Sequence, residues 1–287
     1  MQNLPSPQEI RAQLNAYILG TAGQAEPVGE VTDRAIPGPG GELGLRAYAP
    51  PGDGPFPLVV FAHGAGWVAG NLDTHDNVCR WLCSRVPAVV VSVDYRLAPE
   101  QKFPAALDDA YAATLWAAEH AEALGADPDR LAVVGDSSGA NLVAAVCLQI
   151  KAKGGPGIAF QLLVNPALDL TAYDGPGFDN MRWFRDQYLN GPDDHENPYA
   201  SPVLADDLSE MPPALIVVSE QDNLRAEGEL YATRLRQAGG FANDYCLRGT
   251  GHLSALYARA SGEAQEALDL SVVALRAALY AMERSSQ

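Results

Sequence analysis

The stretch Gly135-Asp136-Ser137-Ser138-Gly139 constrains what this chain can fold into more than any other. Ahead of it runs Leu131-Ala132-Val133-Val134, an apolar tetrad of the kind that forms a parallel strand buried on both faces. Behind it, Ala140 to Leu148 reads as a helix packed on a sheet. Strand, G-x-S-x-G and helix in succession make a turn so sharp that Ser137 is forced into a strained backbone conformation. Side chains two residues to either side would collide there, which accounts for glycine at 135 and 139. The new helix starts beneath the serine, with its free N–H groups aimed at any negative charge that develops above it. This is a place for a nucleophile.

The rest of the chain alternates around that unit. Strand candidates at 31–36 and 43–49 flank Pro37-Gly38-Pro39-Gly40-Gly41 and predict a hairpin. Further strands are expected at 57–62, 88–93, 159–164, 214–219 and 243–247. Helices are expected at 9–19, 75–85, 105–124, 226–238 and 262–282. Strands alternating with helices imply an α/β fold with a mostly parallel central sheet flanked by helices, and ligands at the carboxyl ends of the strands. His63, Ser137, Asp222 and His252 all fall just after such ends. Only the section from about 169 to 210 breaks the rhythm. It is rich in Asp, Asn, Pro and Gly but also in aromatic residues, so it reads as an insertion of short helices over the sheet, not as disorder. Together with about residues 1–30 it would form a small helical cap on a single domain spanning 1–287.

A net charge of −17 repels polyanions, which argues against nucleic acid and anionic membranes as partners. There is no apolar run long enough to span a bilayer and no charged-then-apolar leader, so a cytoplasmic location is expected. The four cysteines are scattered, and core thiols are expected rather than disulfides or a metal site.

A serine hydroxyl is a poor nucleophile until a base takes its proton. On a strand–elbow–helix scaffold the partners follow in the order Ser, acid, His, which leaves His195 and His252. His195 sits in the polar run Asp193-Asp194-His195-Glu196-Asn197, whereas His252 follows the last strand in a glycine-bracketed loop and is the expected base. The expected acid is Asp222, three residues past a strand end, with Glu220 as the competing carboxylate. Donors for an oxyanion would come from the N–H of Ser138 and from the loop His63-Gly64-Ala65-Gly66-Trp67, with His63 orienting that loop. Trp67, Trp183, Phe184 and Tyr188 are candidates to line a substrate pocket, and Leu14, Tyr17 and Ile18 would cover it from the N-terminal helix.

With these residues in place, the sequence resembles the bacterial hormone-sensitive-lipase-like carboxylesterases. The resemblance rests on His63–Trp67, on Asp94–Glu100 with its YRLAPE, on GDSSGAN at Gly135–Asn141, on Asn197–Pro202 and on Asp222-Asn223-Leu224-Arg225 with Glu227-Gly228. It implies the α/β-hydrolase fold with a helical cap, and cofactor-free hydrolysis of small short-acyl esters, with a homodimer as a possible assembly. It also implies Ser137, Asp222 and His252 as a triad, and Ala65, Gly66 and Ser138 as oxyanion donors. The chain departs from the family pattern at Ala65, where a glycine is usual, and at Leu253-Ser254 after the base. Two other readings share the fold: a non-catalytic binder of a small ligand, and a hydrolase of lactones, amides or acetylated sugars.

Overall fold

In a computed structural model, which describes residues 6–252 and 262–280, eight strands form one sheet in the order β1-β2-β4-β3-β5-β6-β7-β8. They are β1 (Glu30–Gly38), β2 (Gly41–Ala49), β3 (Phe56–Ala62), β4 (Val89–Asp94), β5 (Ala126–Asp136), β6 (Ile158–Val164), β7 (Ala214–Ser219) and β8 (Ala242–Leu247). The expected hairpin is β1–β2, whose register runs from Glu30 opposite Ala49 to Gly38 opposite Gly41. β2 is also antiparallel to β4, and every later pairing is parallel.

The central strands read as unbroken apolar runs because both of their faces are covered. In β3, Leu58, Val60 and Ala62 join one core while Val59 and Phe61 join the other. The first core is closed by α3 (Ala105–Glu119), α4 (Ser138–Lys153) and α6 (Arg225–Gln237), through residues such as Leu107, Leu142 and Tyr231. The second is closed by α2 (Asp76–Arg85) and α7 (Gly262–Tyr280), through Leu82, Leu268 and Leu275. The helix expected over 105–124 stops at Glu119 and gives way to a 3-10 turn, Glu122–Leu124, closed by Gly125 at φ +73°. The expected residues 281 and 282 of the last helix, and 1–5 of the cap, lie outside the described residues.

Two helices stand above the carboxyl ends of the strands. α1 (Pro7–Thr21) starts with a capping box between Ser6 and Glu9. It is tied down by Arg11, which pairs with Glu100 at 2.6 Å and donates to Val68 O, and by Asn15 Oδ1, which accepts from Gly70 N. α5 (Asp179–Tyr188) lies in the insertion, and its end is held by a bond from Phe103 N to Tyr188 O and another from Lys102 Nζ to Leu189 O. Among the described residues, no helix is long and apolar enough to cross a membrane.

Candidate active site

Ser137 sits between β5 and α4 at φ +52°, ψ −119°, a conformation that a non-glycine residue adopts only when its surroundings force it. The surroundings do. A Cβ on Gly139 would stand 2.1 Å from Ala62 O, and one on Gly135 would stand 2.5 Å from the carbonyl carbon of Gly139. β5, the elbow and β3 are therefore packed backbone to backbone, and Ser137 is what projects upward.

His252 comes from the far side of the sheet. Two short loops, after β7 and after β8, are laced together: Gln221 N donates to Thr250 O at 2.8 Å, and Gly249 N donates to Glu220 Oε2 at 2.7 Å. Gly249 turns at φ +68°, which glycine alone adopts freely. This bracing brings His252 Nδ1 to 2.7 Å from Asp222 Oδ2 and His252 Nε2 to 3.1 Å from Ser137 Oγ. A carboxylate can only accept, so the neutral ring carries its proton on Nδ1 and leaves Nε2 free to take the serine proton. Burial pulls His252 down, but the hydrogen bond and charge of Asp222, with the charge of Asp136, hold it above the ordinary histidine value. Glu220, the competing carboxylate, faces the backbone of the base loop instead. His195 belongs to the insertion, where its carbonyl accepts from Ser201 Oγ.

Above Ser137 is a mostly apolar cavity of about 200 Å³. Ala65, Gly66, Trp67 and Ser138 line it from the body, and Leu14, Tyr17, Ile18, Met181 and Phe184 line it from α1 and α5. The loop His63–Trp67 is held from below. Tyr95 OH donates to His63 O at 2.7 Å, and Gly64 N donates to Asp136 Oδ1 at 2.9 Å. His63 is fully buried and pushed down to about 4 by burial, so near neutral pH it is an uncharged ring donating from Nδ1 to Gly64 O. Ala65 stands at φ +88° and Gly66 at φ +67°. The methyl group at 65 is thus accommodated, at the expense of backbone strain that a glycine would not carry.

These strand ends, elbow and loop have close counterparts. A family model described as the alpha/beta hydrolase fold matches residues 59–256. The chain belongs to this family. It is 50% identical over 226 residues to the carboxylic ester hydrolase LipN of Mycobacterium tuberculosis, covering 73% of this chain and 60% of LipN. The chain therefore spans less than two thirds of that relative. It is 40% identical to the esterase LipI of the same organism, over 87% of this chain and 82% of LipI. An esterase from Pyrobaculum calidifontis superposes with a TM-score of 0.90 at 40% identity, covering 96% of this chain and 94% of that one. The resemblance drawn from the motifs, and the hydrolase fold it implied, hold.

Several sequence expectations need adjustment. Tyr188 is fully buried and stacks on Trp67 with ring centroids 4.4 Å apart, so it packs the insertion onto the body and does not face the cavity. Trp183 lines a neighbouring groove of about 670 Å³ between α1 and α5, which meets the Ser137 cavity at Leu14, Met181 and Phe184. Cys246, expected in a buried segment, is half-buried because β8 is the edge strand; Cys79, Cys83 and Cys147 are buried and all four are free thiols. Leu253 and Ser254 lie outside the described residues. Met181, Asp136 and Asn165 were not anticipated. The first had no aromatic signal to mark it, Asp136 is the variable position between the glycine and serine of the elbow motif, and Asn165 is a single polar residue after a strand.

Other motifs of the resemblance lock the insertion to the body. Asn141 Nδ2, at the end of GDSSGAN, donates to Ala167 O and Ala200 O. Glu227, fully buried in α6, accepts from the N–H groups of Leu168 and Asp169 and from Tyr173 OH, and burial raises its carboxyl well above the usual range. These contacts fix the start of the insertion directly after the strand that follows the elbow.

Proposed function

We propose that this protein is a serine carboxylesterase that cleaves small, short-acyl esters through an acyl-enzyme on Ser137. The observation that carries the reading is the continuous path Asp222 Oδ2, His252 Nδ1, His252 Nε2, Ser137 Oγ, at 2.7 and 3.1 Å, opening into an apolar cavity. In the first half-reaction His252 Nε2 takes the proton as Ser137 Oγ attacks the ester carbonyl. Negative charge on the carbonyl oxygen is met by the N–H groups of Ala65, Gly66 and Ser138, the last at the start of α4. The imidazolium, stabilised by Asp222, then protonates the departing alcohol. Water repeats the cycle on the acyl-enzyme and releases the acid. A cavity of about 200 Å³ suits a short acyl chain. The cap of α1 and the insertion belongs to this proposal, as the part that closes over the acyl-enzyme. So do a cytoplasmic location and a homodimer.

The test is a panel of chromogenic esters of graded acyl length beside amide and lactone substrates, together with labelling by a small organophosphonate. Short-chain esters should be turned over fastest, and the label should fall on Ser137 and not on Ser138. Ser137→Ala should lose both, keeping only a residual rate of roughly 10³–10⁴ over water. Labelling on another residue, or amide turnover exceeding ester turnover, would overturn the reading.

A further inference from the structure

Asn165 follows β6 directly, in the Asn165-Pro166 pair that the motifs did not absorb. It is 1% exposed and its backbone stands at φ +44°, in the left-handed region that asparagine tolerates better than most residues. Its N–H donates to Val217 O at 2.7 Å, which ties the end of β6 to β7. Its side-chain Nδ2 lies 3.0 Å from Ser219 Oγ and 2.9 Å from Asp222 Oδ2. A carboxylate has no proton to give, so the amide must present its NH₂ to Asp222. The oxygen it reaches is the one that faces His252 Nδ1, while the other, Oδ1, accepts from Leu224 N at 3.0 Å.

We infer that Asn165 is a positioning residue of the triad: it holds Asp222 Oδ2 in line with His252 and draws off part of the charge that would otherwise serve the imidazolium. The inference rests on the proposed triad. An oxygen pinned by two donors from different strand ends has little rotational freedom, and that keeps the base oriented before substrate arrives. The charged and titratable groups around the pair are Asp136, which faces His252 from beneath the elbow, Tyr173, which faces Asp222 from the insertion, and Glu227 of α6, which accepts from Tyr173 OH. None of these three donates to Oδ2 in place of Asn165.

The sign of the effect follows. Without the amide, Oδ2 attends to His252 alone, so the imidazolium is favoured and the base needs a higher pH to become neutral. Asn165→Gly keeps the backbone conformation and removes the amide. Its kcat should fall about tenfold with KM nearly unchanged, and the acid limb of kcat/KM should move to higher pH. Imidazole NMR titration of His252 should show the same upward shift. In an Asp222→Asn background the Asn165→Gly change should leave that titration where it was. Asn165→Asp, nearly the same shape, replaces the donor with a second carboxyl on the same oxygen, and its kcat should fall further than that of Asn165→Gly. A lowered Tm with wild-type pH limb and titration in both variants would show a purely structural asparagine and overturn the inference. Asp222→Asn retaining activity would instead sink the triad on which it rests.

Discussion

At the elbow, backbone packs on backbone; over it, the contacts are made by long side chains. Gly139 lies so close to β3 that one added carbon would stand 2.1 Å from Ala62 O, and one on Gly135 would stand 2.5 Å from the backbone of Gly139. α1 and the insertion, the proposed cap, meet the body through a few long reaches: Arg11 to Glu100, Asn15 to Gly70, Lys102 to Leu189 and Trp67 on Tyr188. The first kind of contact admits one residue type at each position. The second admits many, provided volume and hydrogen bonding are kept. Catalytic geometry should therefore fail abruptly when the elbow side is touched, whereas changes in the cap should grade selectivity.

The comparison is strained hardest at the acid. Asp222→Asn should cost on the order of 10⁴ in kcat, because the amide can offer His252 the wrong tautomer partner. Glu220→Gln should cost much less, since Glu220 braces the base loop through Gly249 N without facing the ring. The measurement is kcat on one short-chain ester for both variants. The reverse ranking would mean that the two carboxylates had been assigned the wrong way round.

The same contrast governs how much of the fold and of the site is legible in the sequence. Gly135, Ser137 and Gly139 announce themselves because steric exclusion leaves one solution, and the two-sided burial of β3 to β7 writes continuous apolar runs. The proposed triad follows from chain order at strand ends. The cap does not yield in the same way. Tyr188 and Phe184 are both aromatic and both on α5, yet one is buried against Trp67 and the other lines the cavity. Which face of a short amphipathic helix looks at substrate depends on where the helix docks, and Lys102 and Phe103, far away in sequence, decide that by holding Tyr188, Leu189 and Asn190 at its end. Asn165 is hidden for another reason: a single polar residue after a strand carries no pattern.

Body and cap touch at Gly66. A Cβ there would come within 2.3 Å of the Phe184 ring, so Gly66→Ala should displace the loop 63–67 with its proposed oxyanion donors and lower kcat about 10²-fold. Phe184→Ala opens that space. The double variant Gly66→Ala/Phe184→Ala should therefore recover part of the loss, and a double-mutant cycle on kcat measures how much. Simple additivity would show that the strain at φ +67°, not the collision, is what Gly66→Ala disturbs. Phe184→Ala alone also joins the Ser137 cavity to the groove of about 670 Å³ beyond it. On the ester panel it should shift the preferred acyl or alcohol chain to longer members by roughly tenfold in kcat/KM ratio. An unchanged profile would remove Phe184 as the wall between the two spaces.

The smallest expected effect is the most diagnostic of the elbow's electrostatics. Asp136 is 2% exposed, and burial pushes its carboxyl up to about 7 against the pull of Gly64 N–H and of His252. A carboxyl held above its ordinary value keeps its proton in the folded chain where the unfolded chain would release it. Its contribution to stability is therefore full below the ordinary aspartate value of about 3.9, and is lost as the pH rises through about 7. Asp136→Asn retains an oxygen to accept from Gly64 but cannot ionise. Its Tm relative to wild type should accordingly rise between about pH 4 and pH 7. Because the charge of Asp136 also helps to hold His252 up, the acid limb of kcat/KM should move slightly to lower pH in the same variant, opposite to the shift expected for Asn165→Gly. Parallel Tm profiles for the two proteins across that range would mean that Asp136 does not change its charge there. The elbow would then hold either a permanent charge, with the limb still moving to lower pH in the variant, or no charge, with the limb staying where it is.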